Sequence, residues 1–322
     1  MGKMEDKNNL VIKDFNPETM SLGKIPLYIT EIDEKEDRNG YPFCIIGGID
    51  RELNRASFRM FQTEREDIKD YIKQGFYKCL VDCSLYNGQY SYTIKHIGDK
   101  CPDIKLELPT DCATAEKIFD KIVNELKKCK TPLKNVAIKL YQNNKEQLLK
   151  WPAGKSVHHI YPGDLLTHMY GVIKIAKEVG EQYGANIDLL VIGAAVHDLG
   201  KLEEMNVDEY GVTDYAIKGQ LFGHSSISAK FFKNEVAKSK DKLNQKEIDL
   251  VEHMILSHHG KKQYNAVVVP ATKEAFILHY ADMIDSRMWI INHALKDIPN
   301  GETGVVKFLT DDPYNFLLNP EI

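Results

Sequence analysis

Leu189-Leu190-Val191-Ile192-Gly193-Ala194-Ala195-Val196-His197-Asp198-Leu199-Gly200-Lys201 decides the fold of the second half of this chain. The apolar run ends in a histidine, an aspartate and a glycine. It is far shorter than the roughly 20 residues a bilayer needs. The pattern predicts a buried helix over 187–199 that stops at Gly200, with His197 and Asp198 in its last turn. An aspartate and an imidazole at the end of the most apolar helix of a chain need a partner, because unpaired polar groups are costly to bury.

Working outward, other short segments carry the same kind of residue: Thr167-His168-Met169, Gly223-His224-Ser225, Ser257-His258-His259 and Tyr280-Ala281-Asp282. His168 follows Leu165 by three residues and precedes Val172 by four, so it lies on an apolar stripe. His224 leads Ile227 and Phe231, His258 follows Val251, Met254 and Ile255, and Asp282 follows Ala275 and Leu278 in the same way. Most of these side chains therefore face the core. Any one buried histidine reads best as a hydrogen-bonded core residue. The ordered set of imidazoles and carboxylates reads best as a site for divalent transition cations such as Mn, Fe, Co, Ni or Zn. Asp164 is four residues before His168 and within reach of the same site, but it reads more simply as an N-cap after Pro162-Gly163. His279 shares a face with Asp282 and is a candidate for a supporting hydrogen bond. His253 and His293 read as structural.

Composition narrows the alternatives. The chain has 322 residues, a net charge of −5 and six cysteines, all in the first half. A duplex-coating protein is usually basic, so any nucleic-acid contact must come from a local groove or from stacking. The cysteine spacing completes no zinc knuckle, and reduced thiols in a cytoplasmic protein are expected. No secretory signal and no membrane span are visible, so no membrane contact is expected.

Residues 22–110 alternate apolar and polar in short bursts, with Asn39-Gly40 and Asn87-Gly88 as hairpin signals. About five strands, interrupted by a helix over 64–74, predict a small Greek-key barrel of the OB type. The stretch from Cys44 to Arg55 reads as irregular for a second strand. Phe58, Phe61 and Arg59, among further aromatics and cations, are candidates for stacking single-stranded bases. The bland alternative is that about half of these rings are barrel core. Residues 1–21 read as an N-terminal tail, 111–154 as a helical connector with Asp111 as a cap, 155–298 as an all-helical bundle, and 299–322 as a loop-like C-terminal tail. The fold class is thus α+β multidomain: an OB-type barrel followed by a helical bundle.

Ser156-Val157-His158-His159-Ile160-Tyr161-Pro162-Gly163-Asp164-Leu165-Leu166-Thr167-His168, His197-Asp198-Leu199-Gly200-Lys201-Leu202-Glu203-Glu204, Leu256-Ser257-His258-His259-Gly260 and Leu278-His279-Tyr280-Ala281-Asp282 resemble the HD-domain metal-dependent phosphohydrolases. Among them they look most like the YhaM-type 3′-to-5′ exoribonucleases, which join an OB fold to an HD domain. Asp164 stands where that family has a glycine, and Arg59-Met60-Phe61-Gln62 where its barrel tends to show a tryptophan-aspartate pair.

The resemblance implies that Asp198 bridges two cations. His168, His197 and Asp282 would complete one, and His224, His258 and His259 would serve the other. A hydroxide held between the metals would attack a phosphodiester phosphorus. Lys201 would act with Asp198 as a catalytic residue by neutralising a phosphate oxygen; the bland reading is a cation completing the helix dipole. His158 and His159 would touch substrate at the pocket mouth. The implied substrate is single-stranded RNA, with DNA as an alternative, and a homo-oligomer is compatible with the architecture. Two other functions stay open: a phosphohydrolase of free or cyclic nucleotides, and a single-strand-binding regulatory protein with an inert HD site.

Overall fold

Five strands close a barrel around the apolar side chains that each turns inward. In the computed structural model these are β1 (Leu22–Glu36), β2 (Pro42–Ile49), β3 (Arg55–Met60), β4 (Gly75–Tyr86) and β5 (Gln89–Lys100). They pair in the order β1-β2-β3-β5-β4 and back to β1. The β3–β5 pairing is parallel and the others are antiparallel, as a five-stranded Greek-key barrel requires. Ile25, Leu27 and Ile29 of β1, Ile46 of β2, Phe58 and Met60 of β3, Tyr77, Cys79, Val81 and Cys83 of β4, and Ile94 of β5 fill the interior.

The structure describes residues 10–61, 75–86, 89–104, 112–155, 159–208, 213–307, 309, 310, 312 and 315–320. The helix expected over 64–74, the Asn87-Gly88 turn, the Asp111 cap and His158 lie outside these residues. The chain divides into two units, Met1–Leu108 and Pro109–Ile322.

Three expectations need correction. Residues read as an N-terminal tail enter the barrel: Ile12 and Phe15 pack into its core. They are anchored by the buried carboxylate of Asp50, which accepts from the Ile12 and Asn54 backbone N–H groups at 2.7 and 3.0 Å. Of the stretch read as irregular, Cys44 to Ile49 pairs residue for residue with β3, and only residues 50–54 leave the strand, in a turn where Leu53 has φ 67°. Finally, the C-terminal residues are not all loop: β8 (Thr303–Val306) pairs antiparallel with β9 (Asn315–Leu318).

The second unit is helical: α1 (Cys112–Lys128), α2 (Lys134–Asn143), α3 (Lys145–Leu148), α4 (Asp164–Tyr183), α5 (Ile187–Val196), α6 (Lys201–Glu204), α7 (Ile217–Lys238), α8 (Gln245–Ser257) and α9 (Lys273–Asp297), with a short hairpin of β6 (Met205–Val207) and β7 (Thr213–Tyr215). Helix α5 is buried on every side from Leu189 to Val196, as its uniformly apolar sequence demands. The segment expected to be a connector shares this core. Phe119, Ile122, Leu126, Leu140 and Tyr141 belong to this core, on helices that pack against α4, α5 and α7, and the Tyr141 hydroxyl donates to the Ala195 carbonyl at 2.9 Å. No helix among the described residues is long and apolar enough to cross a membrane.

Candidate metal centre

Five helices and the turns that follow two of them bring the site together. Helix α4 carries His168, fully buried on the stripe of Leu165, Met169 and Val172. His197 caps α5 and is followed by Asp198. Helix α7 bends at Gly223, whose φ of 66° is left-handed and suits a residue without a side chain; the bend places His224 at the start of the second segment. His258 caps α8 and His259 follows it, while α9 supplies Asp282.

Each oxygen of the buried Asp198 carboxylate faces a different group of histidines. Oδ2 lies 3.4 Å from His168 Nε2 and 3.5 Å from His197 Nε2. Oδ1 lies 3.3 Å from His224 Nε2 and 3.6 Å from His258 Nε2. Asp282 approaches His168 Nε2 at 3.2 Å, and His259 Nε2 stands 2.9 Å from His224 Nε2. Possible ligand atoms of His168, His197 and Asp282 lie within 4.8 Å of one another, as do those of His224, His258 and His259. Lys201 places Nζ 2.8 Å from Asp198 Oδ2, and the Trp151 indole N–H donates to the Lys201 carbonyl at 2.8 Å.

The far nitrogen of each ring is held. His197 and His258 donate Nδ1–H to the Ala194 and Ile255 carbonyls, and His259 to that of Tyr264. His224 Nδ1 meets the Glu204 carboxylate at 2.8 Å, and His168 Nδ1 meets Asp285 Oδ2 at 2.8 Å. With Nδ1 occupied, a neutral ring offers an Nε2 lone pair, the orientation seen when an outer hydrogen bond steers a metal-ligating histidine. Glu204 and Asp285 were not singled out from the sequence as members of the site. The signal for Asp285 was present, since it follows Asp282 by three residues on one helix face. Glu204 lies in the quoted segment, but nothing in the sequence joins it to His224.

The residues fit a divalent cation. His197 Nε2, His258 Nε2 and Asp198 Oδ1 are buried without a hydrogen-bond partner, and each such group costs about 1–3 kcal/mol. The His224 and His259 nitrogens face each other with Nδ1 engaged on both rings, so two lone pairs oppose unless a proton or a cation takes them. Burial, with neighbouring rings, keeps His258 well below its usual pKa and pulls His259 down to about 4. Burial also lowers His197, so these rings are neutral, the ligating form. Burial pushes Asp198 upward, but Lys201 and the histidines outweigh it and hold the carboxyl far below its normal range. For His168, burial is outweighed by Asp198, Asp282 and Asp285, which raise its pKa well above normal. A dication among those carboxylates would replace that proton's charge.

The other expected residues fall differently. Asp164 does not cap α4; Gly163 holds that position, and the Asp164 carboxylate accepts the Tyr161 N–H at 3.1 Å. His159 is no contact at a pocket mouth. It is 4% exposed, shares Asp285 Oδ2 with His168 at 2.9 Å, and packs on Trp289. His279 donates Nδ1–H to the His258 carbonyl at 2.7 Å and so braces that turn. In the barrel, Phe58 is 0% exposed and cannot stack a base, whereas Phe61 is 59% exposed. Alternation explains the difference, because Phe58 and Met60 point in and Arg59 and Phe61 point out. Phe61 stacks on Phe43 with ring centroids 5.7 Å apart, and the Arg59 guanidinium lies 5.8 Å from the Tyr86 ring centre.

Gly171 of α4 makes room for Asp285, since a Cβ there would come within 1.9 Å of Oδ1. Replacing Asp285 with alanine frees His168 Nδ1 and His159 together. Mn affinity should fall about 10- to 100-fold, read by titrating the metal-free protein.

The metal centre opens into a cleft of about 1120 Å³ whose walls include Lys155, Lys201, His279, Met283 and Arg287. Residues 165–287 match the HD domain family. With this HD domain and its histidine–aspartate site, the protein is a metal-dependent phosphohydrolase. Most of its length is similar to proteins named 3′-5′ exoribonuclease YhaM. That of Bacillus licheniformis is 28% identical over 272 residues, covering 82% of this chain and 84% of the relative. That of Bacillus subtilis (strain 168) is 27% identical over the same shares, and that of a Geobacillus species is 28% identical over 86% of both chains. Among solved structures, the mitochondrial single-stranded DNA-binding protein Rim1 of S. cerevisiae is 17% identical, over 24% of this chain and 92% of its own, with a TM-score of 0.21; that likeness is too slight to bear on function.

Proposed function

We propose that this protein is a 3′-to-5′ exoribonuclease that removes nucleoside monophosphates stepwise from single-stranded RNA. The observation that carries the reading is the buried Asp198 carboxylate, with one oxygen toward His168 and His197 and the other toward His224 and His258. Two cations bound there, Mn in the first instance, would generate a hydroxide nucleophile at neutral pH and stabilise charge on phosphoryl oxygens. Asp198 would bridge the two positions, with His168, His197 and Asp282 on one side and His224, His258 and His259 on the other. The 2.8 Å contact of Lys201 with Asp198 supports a role in which it would offer positive charge to the same phosphate. The activity named in the relatives supports RNA as the substrate.

The test is incubation with Mn and a 5′-labelled RNA oligomer carrying either a free or a blocked 3′ end. A ladder of single-nucleotide steps from the free end alone is expected, with monophosphates as product. Internal cuts, or equal decay of both oligomers, would reject the reading.

The barrel's role is to hold the single strand. Phe61, stacked on Phe43 and beside outward-facing Arg59, offers the exposed rings that unpaired bases stack on. A Phe43→Ala/Phe61→Ala protein should bind a single-stranded oligomer more weakly by about 1–3 kcal/mol for each lost stack, measured by fluorescence anisotropy. Binding at wild-type strength would remove this patch from the reading.

A further inference from the structure

Of the cations that line the metal cleft, Lys201 is paired with Asp198 at 2.8 Å, Lys155 with Asp214 at 3.3 Å, and Lys261 lies over the Tyr264 ring at 5.4 Å. Arg287 is different. It lies on α9 one residue after Ser286 and four after Met283, both of which line the same cleft. Its Nε is enclosed and has no hydrogen-bond partner. Among the described residues it forms no ion pair, and the charge that acts on it most is the carboxylate of Asp282. A guanidinium is a rigid fork of donors, suited to two oxygens of one anion. A partly enclosed fork that makes no ion pair among the described residues is incomplete.

Cations bound at Asp282 would sharpen this. They would take up the carboxylate's charge and repel the guanidinium, so an anion between them becomes favourable. A phosphate can ligate a metal through one oxygen and accept from an arginine through two others.

We propose that Arg287 is a phosphate-binding residue of the cleft, donating its paired N–H groups to nonbridging oxygens of the bound strand. The identity of that anion rests on the exoribonuclease reading. The bland alternative is a side chain whose stem packs on α9 while its head lies in water.

The experiment compares the full chain with Arg287→Gln and Arg287→Lys. Lys233→Gln serves as a control, since Lys233 pairs with Glu252 outside the cleft. Three quantities are measured with Mn: KM and kcat on a single-stranded RNA oligomer, inhibition by adenosine 5′-monophosphate, and the salt dependence of oligomer binding. For Arg287→Gln, KM and the inhibition constant should each rise about tenfold, with a smaller fall in kcat. The slope of log affinity against log salt should shrink by about 0.7, the amount expected for one lost phosphate contact on a single strand. Arg287→Lys should fall between the two, because the charge stays and the fork is lost. A KM, inhibition constant and slope all equal to wild type would overturn the proposal. If Arg287→Gln does not fold, Arg287→Lys decides: a severalfold rise in KM supports the contact and an unchanged KM rejects it. If the wild type leaves RNA intact, the exoribonuclease reading fails while this one is still judged. Calorimetric binding of adenosine 5′-monophosphate should then be about tenfold weaker in Arg287→Gln, and equal binding would reject the contact.

Discussion

An Asp198→Ala protein should fail to retain Mn through desalting and should lose phosphodiester hydrolysis by about a thousandfold or more. The carboxylate is 2% exposed and stands between both histidine groups, so its removal weakens both positions together. Metal catalysis is worth several kcal/mol of transition-state stabilisation, and each ~1.4 kcal/mol is a factor of ten in rate. Burial makes the effect severe in a second way. His197 and His258 already present unpartnered nitrogens, and without the Asp198 anion much of the negative charge that favours a cation beside them is gone, although Asp282 remains. Metal content by mass spectrometry and turnover of an RNA oligomer check the two halves. An Asp198→Ala protein that binds Mn normally, or that cleaves RNA at more than a few per cent of the wild-type rate, would remove Asp198 from the centre.

The barrel and the bundle were legible because each has its own period. Alternation in Tyr77, Cys79, Val81 and Cys83 marks a strand facing a core, and the spacing of Leu165, His168, Met169 and Val172 marks a helix doing so. What escaped lies where period gives no signal. Leu10-Val11-Ile12 and Phe15 lie on a turn too short to show a period, yet Ile12 and Phe15 pack into the barrel core. The strands Thr303–Val306 and Asn315–Leu318 are four residues each, too short to show alternation against the loop around them. Cys112–Lys128, Lys134–Asn143 and Lys145–Leu148 fold as helices, but periodicity says only that a face is buried, not against what. Their face completes the core around α5.

The site shows the same division. Residues on buried stripes could be found one by one, and their order along the chain made them a set. Pairings between elements could not be found. Asp285 meets His168 across 117 positions and Glu204 meets His224 across 20, contacts that arise only when α4 packs on α9 and α6 on α7. Phe58 and Phe61 could have been separated in advance, since three residues along a strand reverses the face. His159 was misplaced because a histidine near a predicted loop reads as exposed, whereas it sits in a left-handed conformation, φ 48°, that turns it toward Asp285 and Trp289.

Lys201→Met should separate the chemistry from metal binding. The side chain is 8% exposed, and its Nζ is the only lysine nitrogen in contact with Asp198 among the described residues. Burial works against its charge, but Asp198 outweighs that and raises its pKa above normal, so it is a fixed cation at the bridging carboxylate. Methionine keeps the apolar stem and removes the charge. With one cation fewer nearby, the carboxylate attracts a divalent ion at least as well, so Mn content should hold at the wild-type level. The charge that builds on a phosphate oxygen loses a preorganised partner, a change that typically costs about 10²- to 10³-fold in kcat. The alternative role, a cation that completes the dipole of α5, predicts a lower melting temperature and a kcat within about threefold of wild type, since dipole contacts are worth about 0.3–1 kcal/mol. Measuring kcat, Mn content and melting temperature on one preparation decides between them. Full turnover with a lowered melting point would leave Lys201 a structural cation.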